Sequence, residues 1–139
     1  MAEELAIIEK VFLLQSIDLF SNAEAEALVR LASIAREERY ESGDEIQKEG
    51  ATPDGFYLVV RGRIGLKSES LNRSEEAIEH QAFGILSVLD GEPLQFTATC
   101  TEDSLLLRID SEDFFDHLTD DEEIVKGIVR YLAKQLRMK

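Results

Sequence analysis

The sequence predicts a mainly β chain with helices at both ends, its strands wound into a small antiparallel barrel or jelly roll. Three observations carry this. Short strand-forming runs recur between about Glu37 and Ile109, separated by Gly-containing turns. Phe56-Tyr57-Leu58-Val59-Val60 is a continuous apolar run, as expected of a strand buried on both faces. Helical periodicity and capping residues occur before and after this central stretch. At 139 residues and 44% hydrophobic, one domain with a packed core is expected. Residues 1–35 are assigned to N-terminal helices, 36–110 to the roll and 111–139 to two C-terminal helices.

Taken in order, Glu3 to Gln15 reads as a helix with Leu5, Ile7, Ile8, Val11, Phe12, Leu13 and Leu14 spread over most of its circumference. Ser21 and Glu24 have the spacing of a capping box, which predicts a second helix from Asn22 to about Ala35. Strands are then expected at Glu37–Glu41, Glu45–Lys48, Phe56–Val60 and Ile64–Lys67, the last two joined by Arg61-Gly62-Arg63. Ser68 to Glu76 is polar and reads as a loop. Gln95–Thr101 alternates, and Leu105–Ile109 closes the set. Ser111 is placed to cap a helix over Glu112–Leu118. The final helix begins among Asp120, Asp121, Glu122 and Glu123 and ends near Lys134, Arg137 and Lys139, so both ends suit its dipole. Its apolar band is read along Ile124, Ile128, Leu132 and Leu136 at i+4 spacing, which suits packing on the roll.

Charge excludes several functions. The chain carries 29 acids against 15 bases, a net charge of −14. Nucleic-acid affinity and attraction to anionic membranes both rest on clustered Lys and Arg, so neither partner is expected. No apolar stretch approaches the roughly 20 residues that cross a bilayer, and no secretory signal is visible, so a cytoplasmic location is expected. Cys100 lies in an apolar–polar alternation and reads as a buried structural thiol. The two histidines, His80 and His117, sit on different elements, so no metal site or cofactor is expected. No nucleophile motif is present, and catalytic residues are not expected.

The run Gly43-Asp44-Glu45-Ile46, followed by Glu49-Gly50 through Asp54-Gly55 and Arg61-Gly62-Arg63-Ile64, resembles the front of the cyclic nucleotide-binding domain family. That family includes the sensor half of catabolite-activator-type bacterial regulators. The glycines at 43, 50 and 62 fall at corners where positive φ is expected. Phe83-Gly84 and Asp90-Gly91-Glu92-Pro93 resemble the family's phosphate-binding cassette, here residues 83–96. The resemblance implies a double-stranded β-helix, the jelly roll of cyclic nucleotide-binding domains.

It also locates a change. Nucleotide-binding family members carry Phe-Gly-Glu and then Pro-Arg followed by a small residue. The Glu holds the ribose hydroxyl, the Arg pairs with the cyclic phosphate, and a short helix presents its amides. Here the Glu position is Ile85, the Arg position is Leu94, and Gln95 and Phe96 follow. Glu79-His80-Gln81-Ala82 stands where the family has a Gly-containing turn. From Ser74 to Leu107 there is no Lys or Arg but seven acids. Loss of a desolvated Arg–phosphate contact costs on the order of 2–5 kcal/mol. Loss of the ribose hydrogen bonds costs roughly 1–3 kcal/mol more. Together these weaken binding by a factor of about a thousand or more. Tight cyclic AMP or cyclic GMP binding is therefore not expected, and Leu94 and Phe96 are of a size to fill the vacated space.

Two readings follow. In the first, the roll is a non-catalytic regulatory module acting through its terminal helices, with Leu5, Ile8, Phe12, Ile128 and Leu132 as interaction residues. The partner is a linked or separate protein domain, or a second copy. The family counterpart of the last helix forms a dimer coiled coil in bacterial regulators, but no helix-turn-helix is seen here. In the second, the domain is a sensor in a larger bacterial transporter or signalling protein, holding a small molecule near Phe83, Gly84, Ile85, Leu86, Ser87, Leu94, Gln95 and Phe96.

Overall fold

A computed structural model describes residues 4–139. Its elements are helix α1 (Ile7–Gln15), a 3-10 turn (Asp18–Phe20), helix α2 (Ala25–Ala32), eight strands, helix α3 (Ile85–Asp90), helix α4 (Ser111–Asp120) and helix α5 (Glu122–Arg137). The strands are β1 (Arg36–Tyr40), β2 (Glu45–Gln47), β3 (Gly55–Arg61), β4 (Ile64–Ser68), β5 (Arg73–Ala77), β6 (Ala82–Phe83), β7 (Thr97–Cys100) and β8 (Ser104–Asp110).

Residues 36–111 form one compact unit, a jelly roll of two antiparallel four-stranded sheets. One sheet has the order β1-β8-β3-β6 and the other β2-β7-β4-β5. Alternation sends Tyr57, Val59, Ile64, Ala77, Phe83, Ala98, Cys100 and Leu106 into the space between them, where Tyr40, Ile46 and Leu66 add to the core. Burial pushes the Cys100 thiol's pKa up, which keeps it unreactive. The expected corner glycines Gly43, Gly50 and Gly62 all take positive φ. Glycine is sterically required at position 62, because a Cβ there would collide with the Ser104 side chain.

The polar stretch expected to be a loop is instead partly strand. Residues 73–77 pair with β4 from Ile64↔Ala77 to Ser68↔Arg73. As an edge strand with only Ala77 buried, it has no alternation to reveal it. Glu49 holds the preceding turn: its carboxylate accepts hydrogen bonds from the Ser70 hydroxyl (2.7 Å) and the Glu69 amide (2.8 Å). These bonds hold its pKa below the usual carboxylate range, the Ser70 hydroxyl contributing most.

The helices at the two chain ends form the second unit. Two expectations change there. First, α1 begins at Ile7, with Glu9 Oε1 accepting the Ala6 amide at 2.9 Å; Glu3 lies outside the described residues. Second, Ser21 does not cap α2, which starts at Ala25 with Glu24 in the cap position. Ser21 instead donates to Asp18 O at 2.7 Å, ending a 3-10 turn that buries Leu19 and Phe20. Phe20 meets Phe114 with ring centroids 6.2 Å apart. Burial of that ring outweighs the local capping signal. Lys10 is buried in α1 and donates from Nζ to Ala35 O at 2.8 Å. Arg30 grips the buried Asp121 through two bonds of 2.6 and 3.1 Å, which holds the Asp121 carboxyl below its usual pKa range.

The last helix carries its dipole as expected, with Glu122 and Glu123 in the first turn and Lys134 and Arg137 in the last. Its apolar band divides differently. Ile124, Gly127 and Ile128 are buried, whereas Leu132 (42% exposed) and Leu136 (71%) are not. Steps of four residues advance by about 40°, so a strict i+4 row winds off any one face.

Candidate functional site

The cassette is built by α3, a single helix of six residues between two left-handed glycines, Gly84 (φ +85°) and Gly91 (φ +74°). Val88 buries against the roll and anchors it. The turn before it follows the same logic without glycine, because His80 takes φ +70°. Its amide donates to Val59 O at 2.7 Å, and the Val59 amide donates to Gln81 O at 3.0 Å. The segment after α3 is fixed by a reciprocal pair: the Gly50 amide donates to Leu94 O at 2.8 Å, and the Leu94 amide to Ala51 O at 2.9 Å. The Glu49 amide donates to Thr97 Oγ1 at 3.0 Å just beyond.

These elements enclose a cavity of about 230 Å³ within the roll. All eight residues singled out from the sequence line it. Phe83 and Leu94 are buried walls; Gly84, Ile85, Ser87 and Phe96 are half-buried; Leu86 and Gln95 reach solvent at the mouth. Leu94 and Phe96 thus form walls and leave the space open. Leu66, Ala82 and Ala98 add apolar surface, while Gln47 and Glu75 add the polar groups that sequence reading missed. None of the lining residues is Lys, Arg or His. Glu75 is the one charge, with Arg73 bonded to it at 2.5 Å.

A guanidinium does lie inside the roll, beyond the cavity wall. Register places Arg108 opposite Tyr57, and Tyr57 opposite Phe83, so the three share a face. Phe83 stacks on Tyr57 with centroids 5.2 Å apart. The Arg108 side chain is 13% exposed; its Nε donates to Asp110 Oδ1 at 2.6 Å, one terminal nitrogen donates to Tyr57 Oη, and the other to Asp54 O at 3.1 Å. Burial works against the charge, but Asp110, Tyr57 and Asp54 more than offset it, and the pKa rises. Tyr40 Oη donates to Glu38 Oε1 at 2.6 Å, and Tyr40 meets the Tyr57 ring edge-on at 6.4 Å. Burial raises the pKa of both phenols, with Glu38 adding to the rise at Tyr40.

The interaction residues named from sequence are placed variously. Ile8 (60% exposed) and Phe12 (66%) share an open face of α1, while Leu5 is half-buried. Leu132 is exposed on α5, and Ile128 is buried. Val125 and Val129, which the sequence reading places on the apolar half of this helix but does not name as interaction residues, are exposed beside Leu132 and Leu136. Among the described residues no group of three or more His, Cys, Asp and Glu side chains is placed to hold a metal ion. Among them, too, no helix is long and apolar enough to cross a membrane.

Comparison with known proteins agrees with this geometry. The model of the cyclic nucleotide-binding domain matches residues 37–121. A cAMP-dependent protein kinase regulatory subunit of Candida albicans is 25% identical over 113 residues, covering 81% of this chain and 25% of its own length. A CRP-like cAMP-activated global transcriptional regulator of Mycobacterium tuberculosis is 23% identical over 123 residues, covering 86% of this chain and 55% of its own. The chain thus spans about half or less of these curated relatives. Among solved structures, the N-terminal domain of a transcriptional regulator from Streptomyces coelicolor A3(2) superposes with a TM-score of 0.79 at 25% identity, covering 91% of this chain and 93% of that one.

Proposed function

The chain belongs to the cyclic nucleotide-binding domain family, and on that premise we propose that it is a non-catalytic regulatory module that signals through its terminal helices without tight binding of cyclic AMP or cyclic GMP. It acts in the cytoplasm as part of a larger assembly. The observation that carries the reading is the open row Val125, Val129, Leu132 and Leu136 on α5. Its steps of four, three and four residues keep these side chains within an arc of about 60°, the spacing of a two-helix seam. A second copy presenting the same row completes it. The Ile8–Phe12 face of α1 is left for a neighbouring domain.

The cassette supports the negative half. An anion entering the cavity meets Glu75 and no lining cation. Arg108 is held by Asp110, Asp54 and Tyr57, so it is not free to pair with a phosphate.

Sedimentation of the wild type and of Val129→Glu/Leu136→Glu tests the seam. The wild type is expected to be dimeric and the variant monomeric with an unchanged melting temperature. Equal sedimentation of the two removes the α5 reading. A saturable rise of several degrees in melting temperature with either cyclic nucleotide removes the negative half.

The open cavity favours a second reading, a sensor for a small uncharged molecule. Leu94 and Phe96 wall the cavity without filling it, so a ligand has room beside them.

A further inference from the structure

Gln47 gives the cavity a polar anchor. It sits on β2, is 7% exposed, and its Nε2 donates to Gly55 O at 2.9 Å. A carbonyl only accepts, so that bond fixes which end of the amide faces Gly55. Oε1 therefore points the other way, onto the cavity wall. No described residue donates to it. Gly84 keeps it uncovered, since a Cβ at position 84 would lie 2.8 Å from Oε1. Oε1 is open to the cavity and not sealed from solvent, so its acceptor capacity is available to whatever occupies the cavity. A ligand N–H or O–H placed there takes over a hydrogen bond that water otherwise supplies.

The other walls define what brings the donor. Leu66, Phe83, Ile85, Leu94 and Phe96 offer apolar surface, and Glu75 opposes an anion. The volume of about 230 Å³ lies above the roughly 150 Å³ that accepts benzene. It is below the roughly 300 Å³ at which drug-sized pockets begin. We propose that the cavity binds a neutral one- or two-ring molecule whose N–H or O–H donates to Gln47 Oε1. This rests on the sensor reading above and adds the chemical class and the anchoring atom.

Indole and 1-methylindole, which lacks the N–H, form the test pair. Labelled protein is titrated with each while NMR follows the Gln47 side-chain amide and the methyl groups of Ile85 and Leu94. Indole is expected to shift all three and to bind about five-fold more tightly than 1-methylindole, the size of one net hydrogen bond. Gln47→Leu is expected to reduce that ratio to about one. Should that variant not fold, the wild-type comparison of the two probes still decides. If methyl groups move but the Gln47 amide does not, or if the ratio survives in the variant, the anchor is wrong and the sensor reading stands. If no lining methyl moves at millimolar concentrations of either probe, both fail.

Discussion

The roll's interior has a charged end, built on Arg108, and a cassette end with no lining cation, and Phe83 touches both. On one side Arg108 is surrounded by Asp110, Asp54 and Tyr57, with Glu38 bonded to Tyr40 nearby. On the other, the cassette offers Ile85, Leu94 and Phe96. Both regions sit on the same sheet scaffold, so what separates them is the supply of partners. An interior guanidinium persists where carboxylates and a phenol satisfy its donors on folding. A cassette arginine has no such partner until a phosphate arrives, and its burial is uncompensated meanwhile. On the function proposed above, Leu94 in its place removes that cost and the phosphate affinity together.

The largest expected effect comes from reversing that replacement. Ile85→Glu/Leu94→Arg is expected to raise cyclic AMP affinity by about 100- to 1000-fold, measured by calorimetry. The gain depends on α3 and on the Leu94 backbone staying where Gly50 and Ala51 hold them. No gain in a folded variant would mean that the short helix no longer presents its amides, and the two regions would differ in backbone as well as in side chains. Next in size is Arg108→Met, which leaves the Tyr57 hydroxyl without the guanidinium and Asp110 with Arg36 alone. Unfolding by urea is expected to show a loss of about 2 kcal/mol, from the charge-assisted hydrogen bonds of a largely buried guanidinium, while Arg36 keeps Asp110 paired. A loss below about 1 kcal/mol would place the network with ordinary surface ion pairs.

Much of this arrangement was legible from residues alone, and most of what was not has one physical source. Gly43, Gly50 and Gly62 announce corners because few other residues take positive φ, and the Phe56–Val60 run announces a central strand. The cassette residues cluster because they are close in sequence. Arg108, Tyr57 and Gln47 reach the interior only through strand pairing: Arg108↔Tyr57↔Phe83 on one sheet, and β2 against β7 on the other. Register is a property of two distant segments, and neither shows it alone. The same holds for β5, whose exposed Arg73, Ser74, Glu75 and Glu76 look like any polar loop until β4 pairs with them. In the helical unit the cap at Ser21 was a correct local preference overridden by burial of Phe20. His80 shows the converse, a glycine-like turn kept by a residue that gives no signal of it.

The smallest effect tests how the charged end titrates. Burial raises the pKa of Tyr57 and Tyr40 above the value of about 10 expected for each phenol in the unfolded chain. Below that pH both states keep the protons, and the phenols' contribution to stability is constant. Above it the unfolded chain releases protons that the fold retains, so stability falls by at most about 1.4 kcal/mol per pH unit for each tyrosine. Tyr57→Phe keeps the ring on Phe83 but leaves Arg108 one acceptor short, for an expected loss of about 1 kcal/mol at neutral pH. Its alkaline decline, followed by denaturant melts between neutral pH and pH above 10, should be shallower than that of the wild type. Tyr40→Phe/Tyr57→Phe should remove the share that both phenols contribute. A double variant with the wild-type alkaline slope would mean that these phenols are open to solvent, and that the charged end is as accessible as the cassette mouth.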